Sequence, residues 1–458
     1  MGRWIRGFEK IKHEGSRDRP PARRGPRRLW VVCPKGEGLN DSVAALGRSS
    51  GSPICHCGWV IWLVEPAQTW VLTLAGRRAA GETTIGETCQ DEALGAGPLP
   101  VALVPADAER VEVGQSLQQT LDRIGEGGVA VLSSGVHTGQ SARPLHGQEI
   151  IGEPGAVLRG EGSPFAFRSG ATGVVIQGLV IEGYEPEEKA GVIQGEQGAR
   201  SWTIYGNEIH HNGEVGIVAK SGWDISENRI HHNGRYGVNG SGSQVRLVAN
   251  EIACNALDYG STSDSAATKF VHTSDLLMSR NNVHHNFGNG LWVDINNVDF
   301  RIEGNRTDGN AYSGIFVEIS CGGVVRDNDV LRNGFGSTRP AGMENAGILV
   351  TNSPGVEVLD NRLADNAKGI GAVQWAHGNR VAGDRCVPEL RDLRVQDNEI
   401  TQEAGLVAGI DATIDRGSVW TAWGNTFLDN IYVLGSEARF RWEGSTIGHA
   451  EWANLGLG

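Results

Sequence analysis

The sequence predicts an all-β fold, a parallel β-helix, on two observations: an asparagine repeat about one coil long, and short alternating strands that follow its glycines. The pattern Asn-x-apolar-x-x-Asn begins at Asn207, Asn228, Asn250, Asn281, Asn328, Asn361 and Asn425. Asn305 fits with Thr307 in the apolar slot, and Asn398 lacks only the second asparagine. The starts are 21, 22, 31, 24, 23, 33, 37 and 27 residues apart, a core period near 22 stretched at three places. Periods of this length mark solenoids.

The filling of the period chooses the kind of solenoid. After the asparagine pairs come GIVAK at Gly216, GLWVD at Gly290, GIFVE at Gly314 and GILVT at Gly347, and apolar alternation is the signature of a strand. Helical repeats would need a 3.6-residue apolar period and far fewer than 66 glycines. Two or three short strands per turn, with asparagine and glycine at the corners, give rungs stacked at roughly 4.8 Å. Asparagine suits the corners because it tolerates left-handed backbone, and identical side chains one rung apart can bond into ladders.

In these repeats the chain resembles the right-handed parallel β-helix repeat proteins of the pectate-lyase-like (pectin lyase fold) superfamily. The likeness runs over about residues 108 to 456. It is closest from Lys269 to Asn297 (KFVHTSDLLMSRNNVHHNFGNGLWVDINN) and from Gly309 to Ser320 (GNAYSGIFVEIS). It implies a single-stranded right-handed solenoid of about a dozen rungs. Activity does not follow from it, because the superfamily holds lyases, hydrolases, epimerases and non-catalytic proteins.

Two regions are expected along the chain. Residues 1–100 carry no repeat, open with RDRPPARRGPRR and hold one apolar stretch from Trp59 to Gly76 that Glu65 and Pro66 interrupt, against a membrane span. They read as a poorly ordered leader or one with a degenerate export signal. Residues 101–458 read as the β-helix with its caps. Ser116 N-caps a helix over Leu117 to Ile124 whose apolar face would plug the first coil. GVAVLSSGVH, GQEIIGEPGAVLRG and VVIQGLVIEGY follow as opening strands, and the aromatic FRWEGSTIGHAEWANLG is the expected C-terminal cap.

Composition narrows the partners. The net charge is −13, yet residues 1–28 carry ten Lys and Arg against three acids, which leaves the remainder near −20. So acidic a body argues against nucleic acid. Seven cysteines, an odd count in a long chain, are not expected to form a disulfide framework. Cys55-His56-Cys57 lacks a second ligand pair at zinc-finger spacing.

Aligning the coils on their asparagines gives columns. Residues one and three after each glycine should point inward; those two and four after it should point out. Asp294 and Glu318 then fall on neighbouring rungs with Trp292 and Phe316 beside them. Two carboxylates this close split their pKa values into an acid and a base, and aromatic faces are platforms for sugar rings. The insertions LDYGSTSDSAAT and GFGSTRPAGMENA would wall the groove.

Lys269, one rung earlier, with Asp264 in the inserted loop, offers the competing β-elimination chemistry that the resemblance implies. Calcium would be the cofactor for that chemistry, but no four-acid cluster is visible. Three histidine pairs, His210/His211, His231/His232 and His284/His285, occupy equivalent positions, either as metal-binding columns or as corner residues bonded to the asparagine ladder. No Asp-Pro-His-Asp run occurs, against the alginate-epimerase members. The expectation is therefore a secreted or periplasmic carbohydrate-active protein, a hydrolase or lyase with Asp294, Glu318 and Lys269 catalytic and Trp292, Phe316 and Asp264 binding a polysaccharide or oligosaccharide. The alternative is a non-catalytic glycan-binding, adhesive or metal-handling β-helix.

Overall fold

The computed structural model describes Cys89, residues 99–101, 103–258, 264–336, 342–376 and 385–457, and the backbone of four short strands before residue 77. The chain divides into two compact units, Met1–Glu82 and Thr83–Gly458. In the first, Trp59–Val64 pairs antiparallel with Val71–Gly76. Cys33, Cys55, His56 and Cys57 lie outside the described residues.

The second unit is the solenoid. One face is a 13-stranded parallel sheet running from Glu109–Val111 to Thr426–Leu428. The other two faces join in a 22-stranded sheet whose strands pair in parallel with their counterparts one coil on, until Ser445–Ile447 closes it antiparallel. Inside is a continuous aliphatic stack that contains the inward residues of the glycine-led runs: Ile217 and Ala219, Leu291 and Val293, Ile315 and Val317, Ile348 and Val350. Trp202 and Trp223 stack within it at 4.6 Å. The glycine before each such strand is required by close approach. A Cβ on Gly290 would sit 2.3 Å from the carbonyl oxygen of Gly314, and one on Gly314 would sit 2.5 Å from Thr307 Oγ1.

Both caps form where expected. Ser116 Oγ accepts the amide of Gln119 at the start of the helix Leu117–Ile124, whose Leu117 and Leu121 are buried against the first coil. At the far end Phe440 stacks on Trp452 at 4.7 Å, with Phe427 and Trp442 edge-on to the same indole. The strand Glu109–Val111, ahead of the helix, has too short a pattern to be read from sequence.

The asparagine columns are hydrogen-bonded ladders. Asn228 Nδ2 donates to Asn250 Oδ1 at 3.0 Å, Asn250 Nδ2 to Asn281 Oδ1 at 3.0 Å, and Asn281 Nδ2 to Asn305 Oδ1 at 2.9 Å. A second ladder runs from Asn212 through Asn233, Asn255, Asn286, Asn310 and Asn333 to Asn366.

Two expectations about this repeat need correction. The left-handed residue at each corner is the one before the asparagine: Glu227, Arg280, Asp327 and Asp360 have φ between 53° and 57°. The asparagine itself turns inward, where its amide satisfies ladder and strand carbonyls that are cut off from water. The last repeat is also out of register. Thr426–Leu428 continues the 13-stranded face, and the first ladder ends on Asn430, which accepts from Asn398 Nδ2 at 2.9 Å.

Two disulfides correct the cysteine reading. Cys89 is bonded to Cys254 and Cys321 to Cys386. Partners 165 and 65 residues apart leave no local spacing to read.

Candidate functional site

The site is built on the third face, where Leu291–Asp294 and Ile315–Glu318 pair in register so that Trp292 faces Phe316 and Asp294 faces Glu318. The register sets the two carboxyl groups side by side on adjacent coils, and each perturbs the other's ionisation. Burial, then the neighbouring Asp294 charge, pushes Glu318 from its ordinary 4.5 to about 8. Asp294 is also raised, by burial first, with Lys269 opposing. A pair this close holds one proton between its members. Lys269 touches Asp294, so the proton belongs on Glu318.

Lys269 stands one rung earlier, in the column of Trp292. Its Nζ donates to Asp264 Oδ1 at 2.8 Å, lies 3.2 Å from Asp294 Oδ2, and sits 3.7 Å over the centre of the Trp292 ring. Asp264 is in turn held by Arg235 Nη2 at 2.7 Å, by the Tyr236 hydroxyl at 2.5 Å and by Lys189 Nζ at 3.2 Å. Burial alone would raise the Asp264 carboxyl, but hydrogen bonds from Lys269, Tyr236 and Lys189 outweigh it and hold the group below the usual carboxylate range. With its oxygens committed to these donors, Asp264 is an anchor for the inserted loop. It does not fit a calcium ligand or a free sugar-binding group. Among the described residues no group of three or more His, Cys, Asp and Glu could hold a metal ion.

The aromatic platform is a further correction. Trp292 and Phe316 do point away from the coil and stack at 5.4 Å, yet they are only 3% and 8% exposed. They form a second apolar cluster with Tyr236, Met343, Ala346 and Leu349, so no ring face is open to a sugar. Of the second insertion, expected as a wall, the described residues Met343 and Ala346 are buried over this cluster. The amide of Met343 donates to Asp411 Oδ2 at 2.8 Å, Asp411 is held by Arg441 at 2.6 Å, and Lys368 Nζ donates to the carbonyl of Glu344 at 2.6 Å.

A third insertion falls in the 37-residue period after Asn361, and its described end is tied to the turn after Glu318. Cys386 donates its amide to Asn296 Oδ1 at 3.2 Å and bonds Cys321, three residues past Glu318. The stretched period was visible in the sequence, whereas the disulfide that directs the insertion to this turn was not.

The histidines stack on a neighbouring face. His210 lies 4.9 Å from His231, and His211 lies 4.8 Å from His232; Ala253 and Cys254 interrupt the columns before His284 and His285. Their side chains bond to each other and to acids of the preceding strand, as His231 Nε2 does to Glu208 at 3.2 Å. The asparagine ladder reaches one of these pairs through the backbone, Asn286 Nδ2 donating to the carbonyl of His284 at 3.1 Å. Burial, then the charge of His231, pushes His210 down to about 4.

Comparison with known proteins agrees with this architecture. A family profile described as a right-handed β-helix region matches residues 190–361. The fold is a right-handed parallel β-helix. The A-module of a mannuronan C-5 epimerase from Azotobacter vinelandii superposes with a TM-score of 0.59 at 17% identity, over 72% of this chain and 94% of that one. The catalytic unit of an α-1,3-glucanase from Streptomyces thermodiastaticus gives 0.53 at 14%, over 74% and 70%. A family-6 alginate lyase gives 0.51 at 15%, over 73% and 53%. At these identities the likeness of the β-helix to each is one of fold. No curated protein sequence matches the chain.

Proposed function

We propose that this β-helix is a carbohydrate-active enzyme, a polysaccharide hydrolase in which Glu318 is the general acid and Asp294 its ionised partner. The observation that carries the reading is the split carboxylate pair, with Glu318 raised to about 8 and Asp294 in contact with Lys269. A carboxylic acid that keeps its proton at neutral pH can protonate a glycosidic oxygen, and an adjacent carboxylate stabilises the cationic ring or attacks it. Register partners on adjacent coils stand at strand spacing, roughly 4.8 Å, which fits the close, retaining arrangement rather than the wide, inverting one.

Lys269 separates hydrolysis from β-elimination. Its Nζ is engaged with the carboxylates of Asp264 and Asp294, so its role in this reading is to keep Asp294 ionised. The two disulfides support an extracytoplasmic location. Among the described residues no helix is long and apolar enough to cross a membrane.

A panel of purified polysaccharides, assayed in parallel for new reducing ends and for the ultraviolet absorbance of unsaturated uronides, tests the reaction class. Reducing ends without absorbance support hydrolysis. Absorbance would transfer the chemistry to Lys269 and elimination. Binding without any product would leave a glycan-binding module.

A further inference from the structure

A cavity of about 870 Å³ lies beside the third face, away from the carboxylate pair, against the coils of Gly191–Gly195, Val215–Ala219 and Tyr236–Ser243. Two cations line it, Arg200 and Lys220, and among the described residues neither has a carboxylate within 4 Å. Its lining carboxylate, Glu196, is neutralised from outside: both oxygens accept from Arg143 at 3.0 Å. The polar groups of Gln197, Ser221 and Ser241 complete the lining. On a body near −20, a concave site with two uncompensated positive charges selects an anion by contrast with its surroundings.

The position is as informative as the charge. Lys220 and Ser241 directly follow strand residues Ala219 and Gly240, which are register partners. Gly240 continues through Phe270 and Val293 to Val317, so the cavity and the Asp294/Glu318 pair share one edge of one face. Asp294 is two coils and Glu318 three coils beyond Ser241, about 10 to 15 Å at strand spacing. That is the reach of a short oligosaccharide along the coil axis. Glycine at 195 belongs to the same design: a Cβ there would come within 2.7 Å of Lys220 Cγ and displace the lysine stem.

We propose that Arg200 and Lys220 form a binding subsite for an anionic sugar residue, a uronate or a sulfated sugar, of a glycan whose scissile bond lies over Glu318. The proposal rests on the hydrolase reading for the use of the subsite, not for its existence. Each cation reaches one acidic group by a charge-assisted hydrogen bond, and the chain then runs along the edge toward the carboxylates.

Binding is measured by calorimetry on the Glu318→Gln protein, which removes turnover, with tetra- to hexasaccharides of galacturonate, of mannuronate, of a sulfated galactan and of neutral glucans. The subsite predicts that at least one anionic series binds. Arg200→Gln with Lys220→Gln should weaken it at least ~10-fold, the scale of one lost charged hydrogen bond. Lys220→Arg should retain most of the affinity, added salt should weaken binding, and neutral glucans should be indifferent to the substitutions. The anionic series that responds identifies uronate or sulfate. The proposal is overturned if no anionic oligosaccharide binds, if the double variant binds it as the parent does, or if neutral glucans lose affinity equally. Loss of the hydrolase reading shows separately, as unchanged turnover in Glu318→Gln with the subsite result intact.

Discussion

Asp294 and Glu318 are register partners on adjacent coils, and Lys269 Nζ, 3.2 Å from Asp294 Oδ2, makes them inequivalent. One ammonium beside one member of a symmetric pair decides where the proton resides.

That proton is visible in stability. Glu318 binds it with a folded pKa of about 8 against an ordinary 4.5, so the folded state holds more protons than the unfolded state between those values. Stability from this group is full below about pH 4.5 and is lost as pH rises through 8. The melting temperature of Glu318→Gln should therefore fall less across pH 5 to 8 than that of the wild type. Parallel curves for the two proteins would remove the raised pKa from the account.

Trp292 tests the corrected platform. As a buried member of the outer cluster, its replacement by Ala should cost about 3 to 5 kcal/mol, the scale for Phe or Trp to Ala in cores, and should expose residues 342–346 to protease. An open sugar platform would behave otherwise, losing glycan affinity at unchanged stability.

The corner chemistry makes opposite forecasts for adjacent residues. Asn281→Ala strands the buried amides that bond to its Oδ1, so chemical denaturation should show a loss of about 2 kcal/mol or more. Arg280→Gly relieves a left-handed residue at φ 57° and should leave stability within about 1 kcal/mol of the parent. Equal losses would mean that the ladder is not what holds the corner.

Thiol counting tests the N-terminal boundary. Residues 83–458 contain four cysteines, all disulfide-bonded, so that fragment should fold and show no free thiol under denaturation. Removing residues 1–100 also removes Cys89 and should expose one thiol, that of Cys254. Free thiols in the longer fragment would contradict the pairing.

The coil was legible because the repeat writes its geometry in every period: Ile315 and Val317 face inward wherever the glycine-led run is aligned, and Asn281 stacks on Asn305 because both begin the same hexapeptide. Asp294, Glu318 and Lys269 came together for the same reason. What hid was set by insertions, which obey no period. The direction in which residues 342–346 fold depends on Asp411, 68 residues beyond Met343, and the Cys321–Cys386 bond joins different coils. Asn425 misled because its hexapeptide matches the repeat by composition, whereas pairing puts Thr426 beside Arg394 on another face.

The most direct test of the acid–base assignment is the turnover of Glu318→Gln on whichever polysaccharide the wild type cleaves, measured alongside its melting temperature. The amide keeps the shape and removes only the transferable proton, so the account predicts a fall of about 10²-fold or more with an unchanged or higher melting temperature at pH 7. Wild-type turnover in that variant would contradict the assignment of Glu318 as the acid.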